Sequence, residues 1–265
     1  MILDQLVAAT AKRVARSKQR ISLEQLKGQT EKLKMSSARP FETALTNDNM
    51  HIIAEVKKAS PSKGLIAQDF TYLQIARDYE AAGANAISVL TETDYFQGSL
   101  EYLKEIAQQV NIPVLRKDFI IDEYMIYEAK LAGAAAILLI VRILTPQQLR
   151  QYLLLADQLG LSALVEAHDE DEIKTALHAG AKIIGVNNRN LKDFSVDFGN
   201  SARLRQFVPD ECIFVAESGV QTRKDTQTLQ QNGITVALVG ETLMRSNNKT
   251  ELVQQLKEPI AIDQS

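Results

Sequence analysis

The chain has 265 residues, 45% of them hydrophobic and 24% charged, with a formal net charge of −3. This size and balance suit a single α/β barrel with a core large enough to stand without staples. Acids and bases are interspersed, which excludes a basic footprint for nucleic acid and a polybasic membrane patch, so any anion must be held at a local site.

The first 20 residues carry Lys12, Arg13, Arg16, Lys18 and Arg20 against one acid, Asp4. The bias resembles an organelle transit peptide. Ile2, Leu3, Leu6, Val7 and Val14 nevertheless fall on roughly one face, and the segment reads as an amphipathic helix. Residues 1–46 read as extra helices packed on a barrel, with Pro40 breaking them, and the barrel is expected over 50–257 of one domain spanning 1–265. Apolar runs lie at Ile52–Val56, Ile112–Leu115, Leu161–Val165 and Ile213–Ala216. They alternate with four segments that echo one another: Glu80–Leu90, Lys130–Ile140, Leu177–Asn187 and Gln230–Gly240. The glycines of these segments, at 83, 133, 180 and 233, each end a helical pattern and open an apolar strand.

Helices are marked between the strands. Tyr72, Ile75, Ala76 and Tyr79 form an apolar face. Thr145-Pro146 reads as an N-cap with Pro at the first helical position, followed by Leu149, Leu153 and Ala156 and closed by Gly160. Asp169 with Glu172 reads as a capping pair. Eight short, continuously apolar strands alternating with helices predict a TIM (β/α)₈ barrel with an N-terminal helical extension. A doubly wound open sheet is the alternative, but no Gly-rich nucleotide fingerprint follows the first strand. The single cysteine, Cys212, opens an apolar run and reads as a core residue; no intrachain disulfide is possible, which fits a reducing, cytoplasmic setting. No apolar run approaches the roughly 18 residues of a membrane span.

Barrel active sites lie at the C-terminal ends of the strands. Those ends deliver Glu55 and Lys57 with the loop Lys58–Gly64, then Thr91-Glu92 and Tyr95–Ser99, then Arg116-Lys117-Asp118-Phe119, then Arg142. Glu166 and His168, Asn187-Asn188-Arg189-Asn190, Glu217-Ser218-Gly219 and Gly240-Glu241 follow. Inward-pointing Glu55, Lys57, Lys117 and Glu166 are costly to bury unpaired, so they imply either function or a mutually satisfied ion network. Ser218-Gly219 and Gly240-Glu241 follow strands seven and eight, where barrels bind phosphate through backbone N–H groups, and Lys57 is placed to add a point charge. The histidines His51, His168 and His178 lack metal-ligand spacing, and no metal site is expected.

The run Ile53-Ala-Glu55-Val-Lys57-Lys-Ala-Ser60-Pro61-Ser-Lys-Gly64 resembles the indole-3-glycerol phosphate synthase family. The likeness continues in order through Ser88–Glu92, Phe96–Ser99, Leu115–Ile120, Leu164–Glu166, Ile184–Leu191, Ala216–Gly219 and Val239-Gly240, across essentially the whole chain. The resemblance implies a substrate in which anthranilate is joined through its amine to a 1-deoxyribulose 5-phosphate. The aromatic carbon bearing the carboxylate attacks the C2′ carbonyl, and carbon dioxide and then water leave, with no cofactor or metal. It also implies roles. Lys117 is the general acid, with Glu55 and Asp118 available to hold it charged. Glu166 takes or relays protons, Glu55 and Lys57 orient the substrate, and Asn187 donates a hydrogen bond near Lys117. Ser60 and Arg189 bind polar groups, while Phe96, Phe119, Leu138 and Leu191 line a slot for the ring. Ser218, Gly219, Gly240 and Glu241 hold the phosphate.

Glu241 departs from the Ser found here in some family members, and its side chain is expected to turn away and leave only its N–H for the anion. The partner expected is a small sugar phosphate, with no nucleic acid or membrane, in a monomer or weak homo-oligomer. Two other readings stay open: a phosphoribosylanthranilate isomerase, against which Cys212 lies at the wrong end of strand seven, and a silent barrel that only binds phosphorylated metabolites or a partner enzyme, against which the intact Lys117 and Glu166 argue.

Overall fold

The computed structural model describes residues 2–33, 38–47, 49–190 and 194–258. Helices α1 (Ile2–Arg20), α2 (Leu23–Thr30) and α3 (Pro40–Thr43) precede a barrel of eight strands. The strands are β1 (His51–Val56), β2 (Ala86–Leu90), β3 (Val114–Lys117), β4 (Ala136–Ile140), β5 (Ser162–Ala167), β6 (Ile183–Asn187), β7 (Ile213–Glu217) and β8 (Val236–Val239). All pair in parallel with their neighbours in the chain, and β8 returns to β1, so Ile53 lies beside Ala86 on one side and Leu238 on the other. Helices α4 (Tyr72–Ala81), α5 (Leu100–Gln109), α6 (Glu123–Leu131), α7 (Pro146–Gln158), α8 (Glu170–Ala179), α9 (Gly199–Leu204), α10 (Arg223–Gln231), α11 (Glu241–Arg245) and α12 (Lys249–Lys257) fill the connections. The predicted TIM barrel is the observed fold.

A period of two along each strand divides the apolar residues between two layers. Ile52, Ala54 and Val56 of β1 face the helices, whereas Ile53 faces the barrel interior, where it meets Leu115, Leu138, Leu164, Val215 and Leu238. The echoing glycines 83, 133, 180 and 233 all have positive φ, between 70° and 96°, the left-handed conformation that ends each helix and turns the chain into its strand. Thr145 and Gln148 form a capping box on α7. Asp169 caps α8 through the Glu172 N–H, but the Glu172 carboxylate takes the N–H of His168 rather than that of the cap residue.

Strand boundaries depart from the sequence reading. The ladders continue past the apolar runs: Lys117 lies beside Leu90, Glu166 beside Ile140, and Glu217 beside Asn187. Backbone hydrogen bonds are indifferent to side-chain polarity, so a run of apolar residues ends before its strand does. Strand three begins at Val114 rather than Ile112, because Pro113 has no N–H to give.

The extension packs against both ends of the barrel. Pro40 opens α3 at its first turn rather than breaking a helix, and Phe41 and Leu45 enter the inner core. Glu42 beside them accepts from Ser162 Oγ at the start of β5, at 3.0 Å. At the opposite end Leu3 and Leu6 of α1 join the same core beside Phe119, Leu138 and Ile140. Arg13 anchors α1 there, donating to Thr91 O at 2.9 Å and to Asp118 Oδ1 at 2.6 Å. Among the described residues no helix is long and apolar enough to cross a membrane.

Candidate active site

A cavity of about 1020 Å³ opens at the C-terminal ends of the strands. It is lined by Glu55, Lys57, Ser60, Phe96, Lys117, Phe119, Leu138, Glu166, Asn187, Arg189, Ser218, Gly219, Gly240 and Glu241. Every residue given a role by the resemblance is therefore on one wall or another, except Leu191, which lies outside the described residues, whereas the strand-end residues Arg142, His168, Asn188 and Asn190 line a second cavity.

Charges occupy the floor. The Lys117 ammonium is 3.7 Å from Glu166 Oε2 and 3.5 Å from Glu217 Oε2, and Lys57 bonds Glu55 Oε1. Glu55, Glu166 and Glu217 are buried. Burial works against the Lys117 ammonium, but Glu217, Glu166 and Glu55 outweigh it and hold the group charged well above the ordinary lysine range. Burial also works against the Glu55 carboxylate, and Lys57 and Lys117 outweigh it, so its pKa is lowered. Burial wins at Glu217: with Lys117 pulling down and Glu166 and Glu55 pushing up, its carboxyl is raised to about 7. The buried Glu217 Oε1 has no hydrogen-bond partner. Three carboxylates facing two lysines leave one carboxylate in excess, and Glu217 is the one whose hold on a proton is strengthened.

Two glycines make room for these charges. A Cβ on Gly185 would collide with Glu217 Oε1, and one on Gly240 would collide with Glu55 Oε1 and stand 2.9 Å from Lys57 Nζ. Asp118 does not take the part expected of it beside Lys117. As the next residue along β3 it points to the other side, where it binds Arg13, Arg116 and the Thr91 hydroxyl. Burial pushes Asp118 up, but Arg116 and Arg13 hold its carboxyl below the usual range. Glu217 fills the expected place instead.

The walls differ in character. Phe96 and Phe119 stand with ring centroids 6.1 Å apart beside Leu138, Ile140 and the α1 side chains Ile2 and Leu6. The buried Glu92 carboxylate accepts the N–H groups of Asp94, Tyr95 and Phe96 at 2.8 to 2.9 Å and so shapes the loop that presents Phe96. On the opposite side Ser218 and Gly219 both have positive φ, 67° and 93°, and a Cβ on Gly219 would sit 2.9 Å from Val196 Cγ1. The Glu241 carboxylate points to Arg245 Nε at 3.1 Å and Lys63 Nζ at 3.7 Å. Asn187 Oδ1 accepts the Arg189 N–H at 2.9 Å, and Arg189 Nη1 donates to Phe194 O at 3.1 Å. Among the described residues no group of three or more His, Cys, Asp or Glu side chains is arranged to hold a metal ion.

Residues 3–256 match the family model described as indole-3-glycerol phosphate synthase. The chain belongs to the indole-3-glycerol phosphate synthase family. The synthase of Lacticaseibacillus paracasei is 58% identical over 97% of this chain and 99% of its own length. That of Leuconostoc mesenteroides is 54% identical over 97% and 99%, and that of Ruminiclostridium cellulolyticum 53% identical over 94% and 95%. Among solved structures, the 3-hexulose-6-phosphate synthase of Salmonella typhimurium superposes with a TM-score of 0.64 at 13% identity, covering 78% of this chain and 97% of that one. A mandelate oxidase superposes at 0.62 with 20% identity, covering 78% and 71%. Likenesses at such identities speak for the barrel fold alone.

Four residues of the site have no role under the resemblance to the indole-3-glycerol phosphate synthase family: Glu217, Ile2, Leu6 and Asn188. Glu217 was legible only as a residue after strand seven; counting by two from Val215 puts it inside the mouth. Ile2 and Leu6 belong to the apolar face of α1, but nothing local says which surface that face meets. Buried Asn188 ties the loop after β6 to its neighbours, donating to Ser218 O at 3.0 Å and accepting from Ser201 Oγ at 2.8 Å.

Proposed function

We propose that this protein closes the indole ring of indole-3-glycerol phosphate, acting on 1-(2-carboxyphenylamino)-1-deoxyribulose 5-phosphate as a carboxy-lyase in tryptophan biosynthesis. The observation that carries the reading is Lys117, held as an ammonium by carboxylates on the floor of a cavity with an apolar wall and a glycine-rich polar wall. The anthranilate ring occupies the slot of Phe96, Phe119 and Leu138, with Leu191 assigned to the same slot by resemblance. The phosphate lies against the backbone of Ser218, Gly219, Gly240 and Glu241. The C2′ ketone between them then falls toward the charged floor.

As the carboxylate-bearing ring carbon attacks C2′, the ketone oxygen takes a proton from Lys117 Nζ. A carboxylate-held ammonium meets charge that develops only in the transition state, which is where stabilisation raises the rate. The carbon–carboxyl bond then breaks, and its electron pair restores the aromatic ring. In the dehydration that follows Glu166 accepts the C1′ proton and passes it to the C2′ hydroxyl, which leaves as water. Glu217 keeps Lys117 charged. Glu55 and Lys57 orient the sugar hydroxyls, Asn187 hydrogen-bonds close to the reacting centre, and Ser60 and Arg189 hold the substrate carboxylate and its neighbours. The absence of a possible intrachain disulfide supports a cytoplasmic site of action.

The test is a continuous ultraviolet and fluorescence assay with this substrate in chelator-treated buffer. The wild-type protein is expected to generate the indole signal. Lys117→Ala is expected to lose at least about 10³-fold in kcat with its fold intact, and Glu166→Gln about 10²-fold. A folded wild-type protein without activity would turn the reading toward a barrel that only binds phosphorylated metabolites. Wild-type rates in both variants would overturn the role assignments.

A further inference from the structure

We propose that His168 feeds protons to Glu166 from a second, polar cavity, which makes it a positioning residue for the reaction rather than a structural histidine. The inference rests on the role given to Glu166 above. His168 follows β5, with its side chain only 8% exposed. Its Nδ1 is 3.3 Å from Glu172 Oε2, whereas its Nε2 is buried without a hydrogen-bond partner and aimed at Glu166 Oε1, 3.6 Å away. Most buried side-chain nitrogens find a hydrogen-bond partner. Here the unsatisfied one faces the carboxylate that handles protons.

The far side of the ring opens on different surroundings. A cavity of about 410 Å³ is lined by Arg142, His168, Asn188, Asn190 and Asn200, and among the described residues it shares only Asn187 and Arg189 with the lining of the main cavity. His168 thus lines a polar chamber and faces Glu166 of the main cavity. Glu172 is fixed on that side by the His168 N–H at 2.8 Å and by Arg142 Nε at 2.7 Å. The charged groups around the ring are Glu166 from its own strand, Glu172 and Asp169 from α8, Arg142 from the turn after β4, and Asp197 and Arg189 from the loop after β6. Burial works against an imidazolium here, but Glu172 and Glu166 raise the pKa of His168 above its ordinary value.

The stoichiometry of the reaction supplies the need. The substrate carboxylate leaves as neutral carbon dioxide and the C2′ oxygen leaves as water, so one proton is consumed per turnover. The C1′ proton covers one of the two O–H bonds of that water, and the other must come from solvent. Glu166 is buried, and both it and Lys117 face the main cavity, so while the substrate fills that cavity neither is recharged from that side. In the proposed step, after Glu166 has handed the C1′ proton to the leaving hydroxyl, the His168 Nε2–H bond breaks and a Glu166 Oε1–H bond forms; Glu166 then gives up a proton to the neutral Lys117 amine, 3.7 Å from its Oε2, and solvent from the side cavity recharges the neutral imidazole.

The experiment compares His168→Ala, His168→Gln and Glu166→Gln with the wild type in the indole assay, with and without added imidazole, and records the melting temperature of each. His168→Ala and His168→Gln are expected to lower kcat by about 10- to 100-fold while leaving KM within about twofold. Imidazole is expected to restore His168→Ala, whose side cavity then has room for it, but not His168→Gln. A kcat within about threefold of wild type in either variant, or a loss in His168→Ala that imidazole leaves unchanged, overturns the proposal. If His168→Ala does not fold, kcat of His168→Gln decides alone. A slow Glu166→Gln beside a fast His168→Gln removes only the relay, whereas wild-type rates in both remove the role of Glu166 as well.

Discussion

Replacing Glu217 by glutamine should flatten a loss of stability with pH that this one buried carboxyl imposes. Burial pushes the group from an ordinary 4.5 to about 7, against Lys117 and with the repulsion of Glu166 and Glu55. The folded value lies above the unfolded one, so the folded state holds a proton that the unfolded chain has released. The corresponding stability is fully present below about pH 4.5 and is lost as pH rises to about 7. Each pH unit in that window is worth about 1.4 kcal/mol, and a window of roughly 2.5 units gives about 3 kcal/mol. Glutamine keeps the shape, cannot ionise, and leaves Lys117 paired with Glu166 at 3.7 Å. Urea unfolding of both proteins across this range should show the glutamine variant gaining on the wild type by about 3 kcal/mol and then running parallel to it at higher pH. Its turnover should fall, because Lys117 loses the carboxylate 3.5 Å from Nζ. A stability difference that does not change with pH would refute the assignment of the surplus proton to Glu217.

Three further perturbations probe the same architecture. Gly185→Ala puts a methyl group into Glu217 Oε1 and 3.1 Å from Leu164 Cδ1, so kcat should drop about 100-fold through displacement of the network; steady-state kinetics and a melting curve separate this from global unfolding. Arg13→Ala removes one of two cations from the buried Asp118 and should cost about 2 kcal/mol at neutral pH. Because the Asp118 carboxyl is held below its unfolded value, that cost should shrink as acid protonates the group, which urea unfolding at low pH would detect. Glu241→Ser removes the carboxylate that engages Lys63 and Arg245, so inorganic phosphate should bind about fivefold more tightly by calorimetry. Unchanged phosphate affinity would mean that the Glu241 charge does not reach the anion.

The barrel was legible because each of four glycines both ends a helix and opens a strand, a signal that does not depend on distant residues. The site was legible wherever a charge follows an apolar run. What stayed hidden has two physical origins. Contacts between segments far apart in the chain leave no local mark: Arg13 meets Asp118 across 105 residues, and Ile2 and Leu6 meet Phe119 only once α1 has docked. The ends of the strands were hidden because the ladder continues beneath polar side chains, so Glu217 and Lys117 read as loop residues although both are paired within the sheet.

The period of two recovers much of this. Glu55, Lys117, Glu166 and Glu217 each stand two residues beyond an inner-core residue, namely Ile53, Leu115, Leu164 and Val215. The alternation that packs the barrel therefore lifts these charges to one level above its apolar floor. Asn187 of β6 reaches that level by the same count from Ile183, through Gly185, where the missing side chain is what Glu217 needs. Gathering three carboxylates around two lysines in a buried layer has a consequence that no single residue carries: the hold of one carboxyl, Glu217, on its proton is strengthened by burial and by Glu166 and Glu55. The chemistry proposed here consumes a proton in every turnover, so a floor poised to hold one, with His168 on its margin, joins the packing rule of the barrel to the reaction it supports.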